Sequence, residues 1–228
     1  MKNQLLKPLV IAIALVLVPL SISTAQATQT NQGQKGDKGD KGDKGNDGQG
    51  SFTYSNTCGG TDTTPGNKPC KIGTRGPGGG WIFFVDYNNQ YPGFTYLEAA
   101  PIDTAAVAWC NNTSTSIPAV AGWAANAVGK GQANTKAMLD WGCTSGAAYE
   151  ADKYFTPTND DWFLPSEGEL MLMYTNLRQA GVGGFANYYY WSSTELGSDI
   201  AWIQFFNNGN QDGGSKYNTL PVRAVRAF

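Results

Sequence analysis

The sequence contains no histidine in its 228 residues, and only 15% of its residues are charged. The missing imidazole excludes Ser-His-Asp and Cys-His catalytic arrangements and every zinc site that uses histidine. The formal net charge is −2, whereas proteins that bind nucleic acid generally carry a strong basic excess. We therefore expect neither histidine-dependent catalysis nor nucleic-acid binding.

Long hydrophobic runs are also missing, apart from one near the N-terminus. Two lysines precede an apolar stretch at 9–20, and a small-x-small motif ends at Ala27. This stretch is too short for a spanning helix, which needs about 20 residues, and the whole pattern is typical of a secretory signal peptide. We predict a signal peptide over residues 1–27 and an exported chain that starts at Thr28 without membrane insertion. The alternative is an uncleaved membrane anchor.

Only four cysteines are present: Cys58, Cys70, Cys110 and Cys143. An even number of cysteines in an exported chain predicts disulfides. Four cysteines allow three pairings, and we favour Cys58–Cys70 with Cys110–Cys143 because these pairs close the shortest loops. A four-thiolate metal site is the alternative, although the paired short spacing of such sites is missing.

Proline is missing from a glycine-rich stretch that follows a strict triplet pattern. Glycine recurs at every third position from Gly33 to Gly48, and the repeated unit is Gly-Asp-Lys. Only glycine fits at the crowded axis of three wound polyproline-II chains, so we predict a collagen-like triple-helical stalk over 28–50 and a homotrimer. Exposed Lys-Asp pairs are individually weak, so we expect the following domain to hold the trimer together. The alternative is a disordered charged linker.

Residues 51–228 contain all seven tryptophans and form a candidate globular domain, which we call the head. Aromatic and β-branched runs predict two hairpins, at 81–99 and 188–206, and a closing strand at 220–228. A glycine- and asparagine-rich loop is predicted at 207–218. Hairpins combined with a few helices, without regular alternation, indicate an α+β fold.

Three helices are predicted in the head. Ser166 and Glu169 form a capping-box pattern at the start of one helix, and Gly181 is a suitable stop for it. The other two helices are predicted at 134–141 and 147–154.

Six motifs occur in a defined order along the head. They are Gly78-Gly79-Gly80-Trp81, Leu97-Glu98-Ala99-Ala100-Pro101, Gly129-Lys130-Gly131-Gln132-Ala133-Asn134-Thr135, Trp162-Phe163-Leu164-Pro165-Ser166, Tyr190-Trp191-Ser192-Ser193-Thr194-Glu195 and Val222-Arg223-Ala224-Val225-Arg226. Together they resemble the Lcl C-terminal domain family, and the signal peptide and glycine repeat extend the resemblance to the collagen-like adhesins that carry this domain. The collagen tract here is shorter than is usual in those adhesins. More distantly, the helix start, the Tyr-Trp-Ser-Ser strand and the ending look like the C-type-lectin-like fold, including its sulfatase-modifying-factor branch.

This resemblance implies a trimeric adhesin at the bacterial cell surface or outside the cell. It implies binding of sulfated glycosaminoglycans or other acidic polysaccharides, support of attachment, cell–cell aggregation and biofilm, and aggregation that depends on divalent cations. Two alternatives belong to other classes: a purely structural trimerisation head, and a carbohydrate-active enzyme. Asp160, Asp161, Glu167 and Glu169 resemble the carboxylate pairs of glycosidases, but helix capping already accounts for Glu169, so we expect no enzymatic activity.

The basic residues of the head are candidate contacts for an acidic polysaccharide. The head has 10 basic and 14 acidic residues, so a polyanion has to use a local patch. Lys130 and Lys136 are our first choice, because they flank a glycine-rich loop in a stretch that is poor in acidic residues. Arg75 and Lys216, beside or within glycine-rich loops, are second choices. A solvated surface charge is the alternative for each.

The remaining basic residues and the aromatic residues lead to two smaller expectations. At least one of Arg223 and Arg226 is expected to be a structural ion-pair partner. Several aromatic residues, Trp109, Trp123 and Tyr188 to Tyr190, are available to stack on sugars, with core packing as the alternative.

Calcium is a candidate cofactor rather than a predicted one. Asn208, Asn210 and Asp212 alternate like the ligands of a calcium loop, but no glutamate follows at the twelfth position. The spacing therefore favours a polar hairpin tip.

Overall fold

The computed structural model describes Cys58 and residues 69–228. The predicted signal peptide, its cleavage site, the stalk and the domain boundaries lie outside the described residues. No helix within the described part is long and apolar enough to cross a membrane.

Within residues 69–228, six strands form two antiparallel, three-stranded sheets. They are β1 (Trp81–Val85), β2 (Tyr96–Ala99), β3 (Tyr189–Gly197), β4 (Ile200–Phe205), β5 (Gln211–Ser215) and β6 (Val225–Ala227). The first sheet has the order β1-β2-β6 and the second β3-β4-β5. Both predicted hairpins are confirmed, and so is the α+β class with antiparallel sheets and few helices.

Two strand predictions need correction. The predicted closing strand pairs with β2 only over Val225–Ala227, because the carbonyls before it accept hydrogen bonds from the irregular segment that follows β2. For example, Val222 accepts from the Thr104 N–H at 2.9 Å and Ala224 from the Ala100 N–H at 2.8 Å. The predicted loop 207–218 contains β5, and its glycines mark close packing against β4 rather than a loop.

In the part of the chain that the structure describes, four α-helices lie between the strands. They are α1 (Trp123–Asn126), α2 (Gly131–Trp141), α3 (Ala147–Asp152) and α4 (Glu167–Met173). A 3₁₀ turn at Pro118–Val120 precedes α1, and a π-helical turn at Tyr174–Arg178 continues α4. The three predicted helices are confirmed to within three residues at their ends.

Helix α4 begins as the sequence predicts, and the π-helical turn that continues it ends at the predicted stop. The Ser166 hydroxyl accepts from the Glu169 N–H, and the Glu169 carboxylate accepts from the Ser166 N–H, which completes the capping box. At the other end, Gly181 has a φ of +71°, a conformation that glycine adopts without strain. The Val182 N–H then donates to the Leu177 carbonyl at 2.9 Å and closes the last turn.

Both predicted disulfides are confirmed. Cys110–Cys143 lies in a hydrophobic cluster built around Trp109, Trp162 and Trp191. Cys58–Cys70 packs in a smaller cluster against the first sheet. The Cys58–Cys70 disulfide therefore attaches Cys58 to the rest of the described domain.

Candidate functional site

Lys216, one of the predicted glycan contacts, is fully buried. Its ammonium forms an ion pair with Glu195 and donates to the carbonyls of Ser198 at 2.8 Å and Thr115 at 3.1 Å. The same ammonium lies 4.5 Å from the centroid of the Trp109 ring. A cation with these partners stabilises the core and cannot reach a polymer in solvent.

Glu195 is held from its other side by the chain before the 3₁₀ turn. Its carboxylate accepts from the Ile117 N–H at 2.9 Å and from the Ser116 hydroxyl at 2.6 Å. The buried pair therefore ties this loop to β3 and to the end of β5.

The two arginines of the closing segment are both buried ion-pair partners, which confirms the prediction for at least one of them. Arg226 binds the Asp161 carboxylate through two N–H groups, at 2.8 and 2.9 Å, and also contacts Glu98. Burial raises the pKa of Glu98, while the N–H groups of Gly78 and Gly80 and the Arg226 charge act against the rise.

Arg223 anchors a second network on the other face of the closing segment. It donates to Asp103 at 2.6 Å and to the Gly183 carbonyl at 2.7 Å. The Tyr190 hydroxyl donates to the other Asp103 oxygen at 2.8 Å, and burial together with the Asp103 charge raises the pKa of that phenol. Both arginines are thereby occupied inside the fold.

Lys136 lies at the edge of an acidic groove of about 440 Å³ between α2, α3 and the segment that follows α3. The groove is lined by four aspartates against this single lysine: Asp140, Asp152, Asp160 and Asp161. The Lys136 ammonium already forms an ion pair with Asp140 at 2.6 Å. An acidic polymer would meet net negative charge here, although the local sequence around Lys136 is basic.

Lys130 is exposed and lies directly before α2. The loop around it is fixed from below by the Glu169 carboxylate, which accepts from the Gly129 N–H at 2.8 Å and the Gly131 N–H at 3.4 Å. Burial raises the pKa of Glu169 to about 7, with the backbone N–H donors acting against the rise. Lys130 and Lys136 are therefore close in sequence but differ in environment: Lys130 lies on an exposed loop, whereas Lys136 lies beside the aspartates of the groove.

Arg75 is exposed and well oriented. Its guanidinium lies 3.8 Å from the centroid of the Trp81 ring and donates to the Gly79 carbonyl at 2.6 Å. Lys71 lies four residues earlier and begins a turn that ends directly before Arg75; a hydrogen bond from the Thr74 N–H to the Lys71 carbonyl at 3.1 Å closes this turn. Within residues 69–228 neither cation forms an ion pair. Sequence reasoning missed Lys71, although its spacing of four from Arg75 was visible.

The candidate calcium residues lie at the hairpin that joins β4 to β5. Asn208 and Asn210 are in the turn, where the Asn208 side chain accepts from the Asn210 N–H at 3.0 Å. Asp212 lies in β5, and its carboxylate accepts from the Gly213 N–H at 2.7 Å. Across the described residues, no three His, Cys, Asp or Glu side chains come close enough together to hold a metal ion.

The aromatic candidates have separate positions. Trp109 and Tyr190 are buried, and Tyr189 stacks on Phe205 with centroids 4.3 Å apart. Tyr188 is half exposed, and Trp123 is almost fully exposed. Only the last two are free to stack on a sugar.

No protein-family model matches the chain, and no curated protein matches it. Among solved structures, the chain is similar to a fimbrial protein from Bacteroides ovatus, with 19% sequence identity and a TM-score of 0.44. The similarity covers 61% of this chain and 37% of the fimbrial protein, so it spans well under half of that protein's length. Similarity at this level does not establish a shared fold or function.

Proposed function

We propose that this chain is the subunit of an exported, trimeric, collagen-like surface adhesin of the Lcl type, with a head that binds acidic polysaccharides without cleaving them. Three chains joined by the predicted stalk carry three heads, so each surface cation is presented three times. Weak contacts repeated in this way bind a long polymer more strongly than one contact does.

The observation that supports this proposal best is the pair of exposed cations Lys71 and Arg75. Sulfate and carboxylate groups are bound by guanidinium and ammonium donors. The buried cations of the head are occupied in its interior, and Lys136 is surrounded by aspartates. Lys71 and Arg75 keep donors in solvent and lie next to Cys70, where the disulfide to Cys58 fixes the entry of the chain. In a trimer the three heads together present six such cations.

Two charge-reversal variants of the exported chain, 28–228, test this site: a double variant at the site and a control outside it. We expect Lys71→Glu combined with Arg75→Glu to weaken heparin binding by about tenfold or more, because charge-assisted hydrogen bonds contribute about 1.5 to 3 kcal/mol each. Lys136→Glu is the control, since it reverses an exposed lysine outside the site. Binding of the unmodified chain to immobilised heparin is expected to be lost by roughly half-molar salt, because added ions screen exposed charges.

Three outcomes would contradict parts of the proposal. Equal losses in the double variant and the Lys136→Glu control would show a general charge effect and rule out the Lys71/Arg75 site. Absence of heparin binding by an intact trimer would favour the structural head. Release of new reducing ends from a polysaccharide by the purified chain would favour the enzyme.

A further inference from the structure

Trp123 is the most exposed large hydrophobic residue of the described part of the chain, at 91% of its full exposure. It opens α1, a single helical turn that follows Gly122. A side chain with this exposure contributes almost nothing to the core. Its indole instead presents a flat, apolar face to solvent.

Asn126 lies three residues after Trp123 and therefore on the same side of α1. Its side chain forms a hydrogen bond with the Glu167 carboxylate. Its Oδ1 atom is buried and has no hydrogen-bond partner in the described structure. Because this atom is buried, Asn126 contributes to the surface through its hydrogen bond to Glu167, which holds that carboxylate beside α1.

Glu167 completes the group as a fixed, half-buried carboxylate. Its N–H donates to the Thr194 hydroxyl at 3.2 Å, and its carbonyl accepts from the Gln211 side chain at 3.0 Å. Burial raises the pKa of Glu167, and the hydrogen bond from Asn126 acts against the rise. Within residues 69–228, Glu167 forms no ion pair. Its acceptor atoms are thus placed by the backbone and are not neutralised by a cation.

We propose that Trp123, Asn126 and Glu167 form a binding site for a neutral pyranose unit of a polysaccharide. The C–H face of the sugar stacks on the Trp123 indole, and two adjacent hydroxyls donate to the Glu167 carboxylate, which the Asn126 side chain helps to hold in place. Ligand sites commonly combine one apolar or aromatic surface with a few well-placed polar groups. A pyranose is complementary to such a site, because it has an apolar C–H face and a rim of hydroxyl groups.

The charge of the site selects among ligands. Sulfated and uronic sugars would be repelled by Glu167, which has no cation beside it in the described structure. A second copy of the head is also a poor occupant, because an interface would bury the Glu167 charge without a partner. The site is therefore distinct from the Lys71/Arg75 pair, and it does not depend on the function proposed above.

The test uses the exported chain, 28–228, with a glucan, a mannan and a galactan as neutral probes and heparin as the acidic probe. We expect at least one neutral probe to bind. Trp123→Ala should weaken that binding by about tenfold or more, as truncation of a central aromatic contact usually does. Trp141→Ala is the matched control, because Trp141 is also exposed, at 53%, but ends α2 instead of opening α1. Heparin binding should be unchanged in both variants.

Glu167→Gln separates hydrogen bonding from stacking. This variant keeps one acceptor and removes the charge, and we expect neutral-sugar binding to fall about three- to tenfold. A sedimentation measurement on each variant records the oligomeric state. The proposal is overturned if no neutral probe binds the parent chain, or if Trp141→Ala weakens binding as much as Trp123→Ala. It is also overturned if Trp123→Ala dissociates the oligomer and leaves sugar binding unchanged.

Discussion

The Lys216–Glu195 and Lys136–Asp140 pairs join the same two chemical groups, an ammonium and a carboxylate. The side chains of the first pair are 0% and 1% exposed, whereas those of the second are 75% and 64% exposed. A buried charge depends on its partner, because removal of one member leaves the other desolvated and unpaired. An exposed charge is screened by water and salt and loses little when its partner is removed. Burial, and not the presence of a pair, therefore separates the structural cations of this head from those that can meet a ligand.

Removal of the buried lysine should have the largest effect on the free energy of unfolding. We expect Lys216→Met to lower the free energy of unfolding by about 3 to 5 kcal/mol, because Glu195 is left as an unpaired buried charge. Urea denaturation followed by tryptophan fluorescence measures this loss. The double variant Lys216→Met with Glu195→Gln should recover much of it, since no isolated charge remains. A Lys216→Met loss below 1 kcal/mol would contradict the assignment of Lys216 to the core.

A buried carboxylate without a cation should respond to pH instead. The pKa of Glu169 is raised from 4.5 to about 7, so folding favours its protonated form. Stability from this group is then greatest below about pH 4.5 and falls by on the order of 3 kcal/mol as the pH rises to 7. Urea denaturation at pH 5 and pH 7.5 measures the slope, and Glu169→Gln should flatten it. An equal slope in Glu169→Gln would assign the pH dependence to other groups.

A neutral buried cap should have a smaller effect. Ser166→Ala removes the acceptor for the Glu169 N–H and the hydroxyl that donates to the Ala127 carbonyl at 2.9 Å. We expect a loss of about 1 to 2 kcal/mol, the usual cost of deleting a serine cap. Ser166→Thr keeps the hydroxyl and is the control. A loss as large as that of Lys216→Met would mean that charge is not the deciding factor.

The exposed pair should have the smallest effect. We expect Lys136→Ala to change the free energy of unfolding by no more than about 0.5 kcal/mol, because both side chains are solvated. The midpoint of urea unfolding at low and high salt checks this. A loss above 2 kcal/mol would show that the Lys136–Asp140 pair has a structural role despite its exposure.

The features of the fold that could be predicted from sequence are those formed by residues that lie close together in the chain. The capping box joins residues three apart, and both disulfides close the shortest available loops. The α+β class follows from hairpins whose strands are adjacent in the chain. In each case the sequence pattern and the structure that it predicts lie within the same segment of the chain.

The surroundings of the charged residues could not be predicted in this way. The sequence favours Lys136 as a glycan contact because its segment is poor in acidic residues. The same groove is also lined by Asp152, Asp160 and Asp161, which lie 16 to 25 residues later in the chain. Lys216 was placed in a glycine-rich loop, but its partner Glu195 lies in β3, 21 residues earlier. A charge count along the chain does not include neighbours supplied by packing.

The pairing of β2 with β6 has a consequence for how the head is made. Glu98 lies opposite Arg226 in this pair, 128 residues later in the chain. A chain that emerges from the ribosome in order can pair β2 with β1 early, but the other edge of β2 has no partner until almost all of the head has been synthesised. Long-range pairing of this kind slows folding. A head built in this way stays unfinished during translation, as the proposed export through a narrow channel before folding requires.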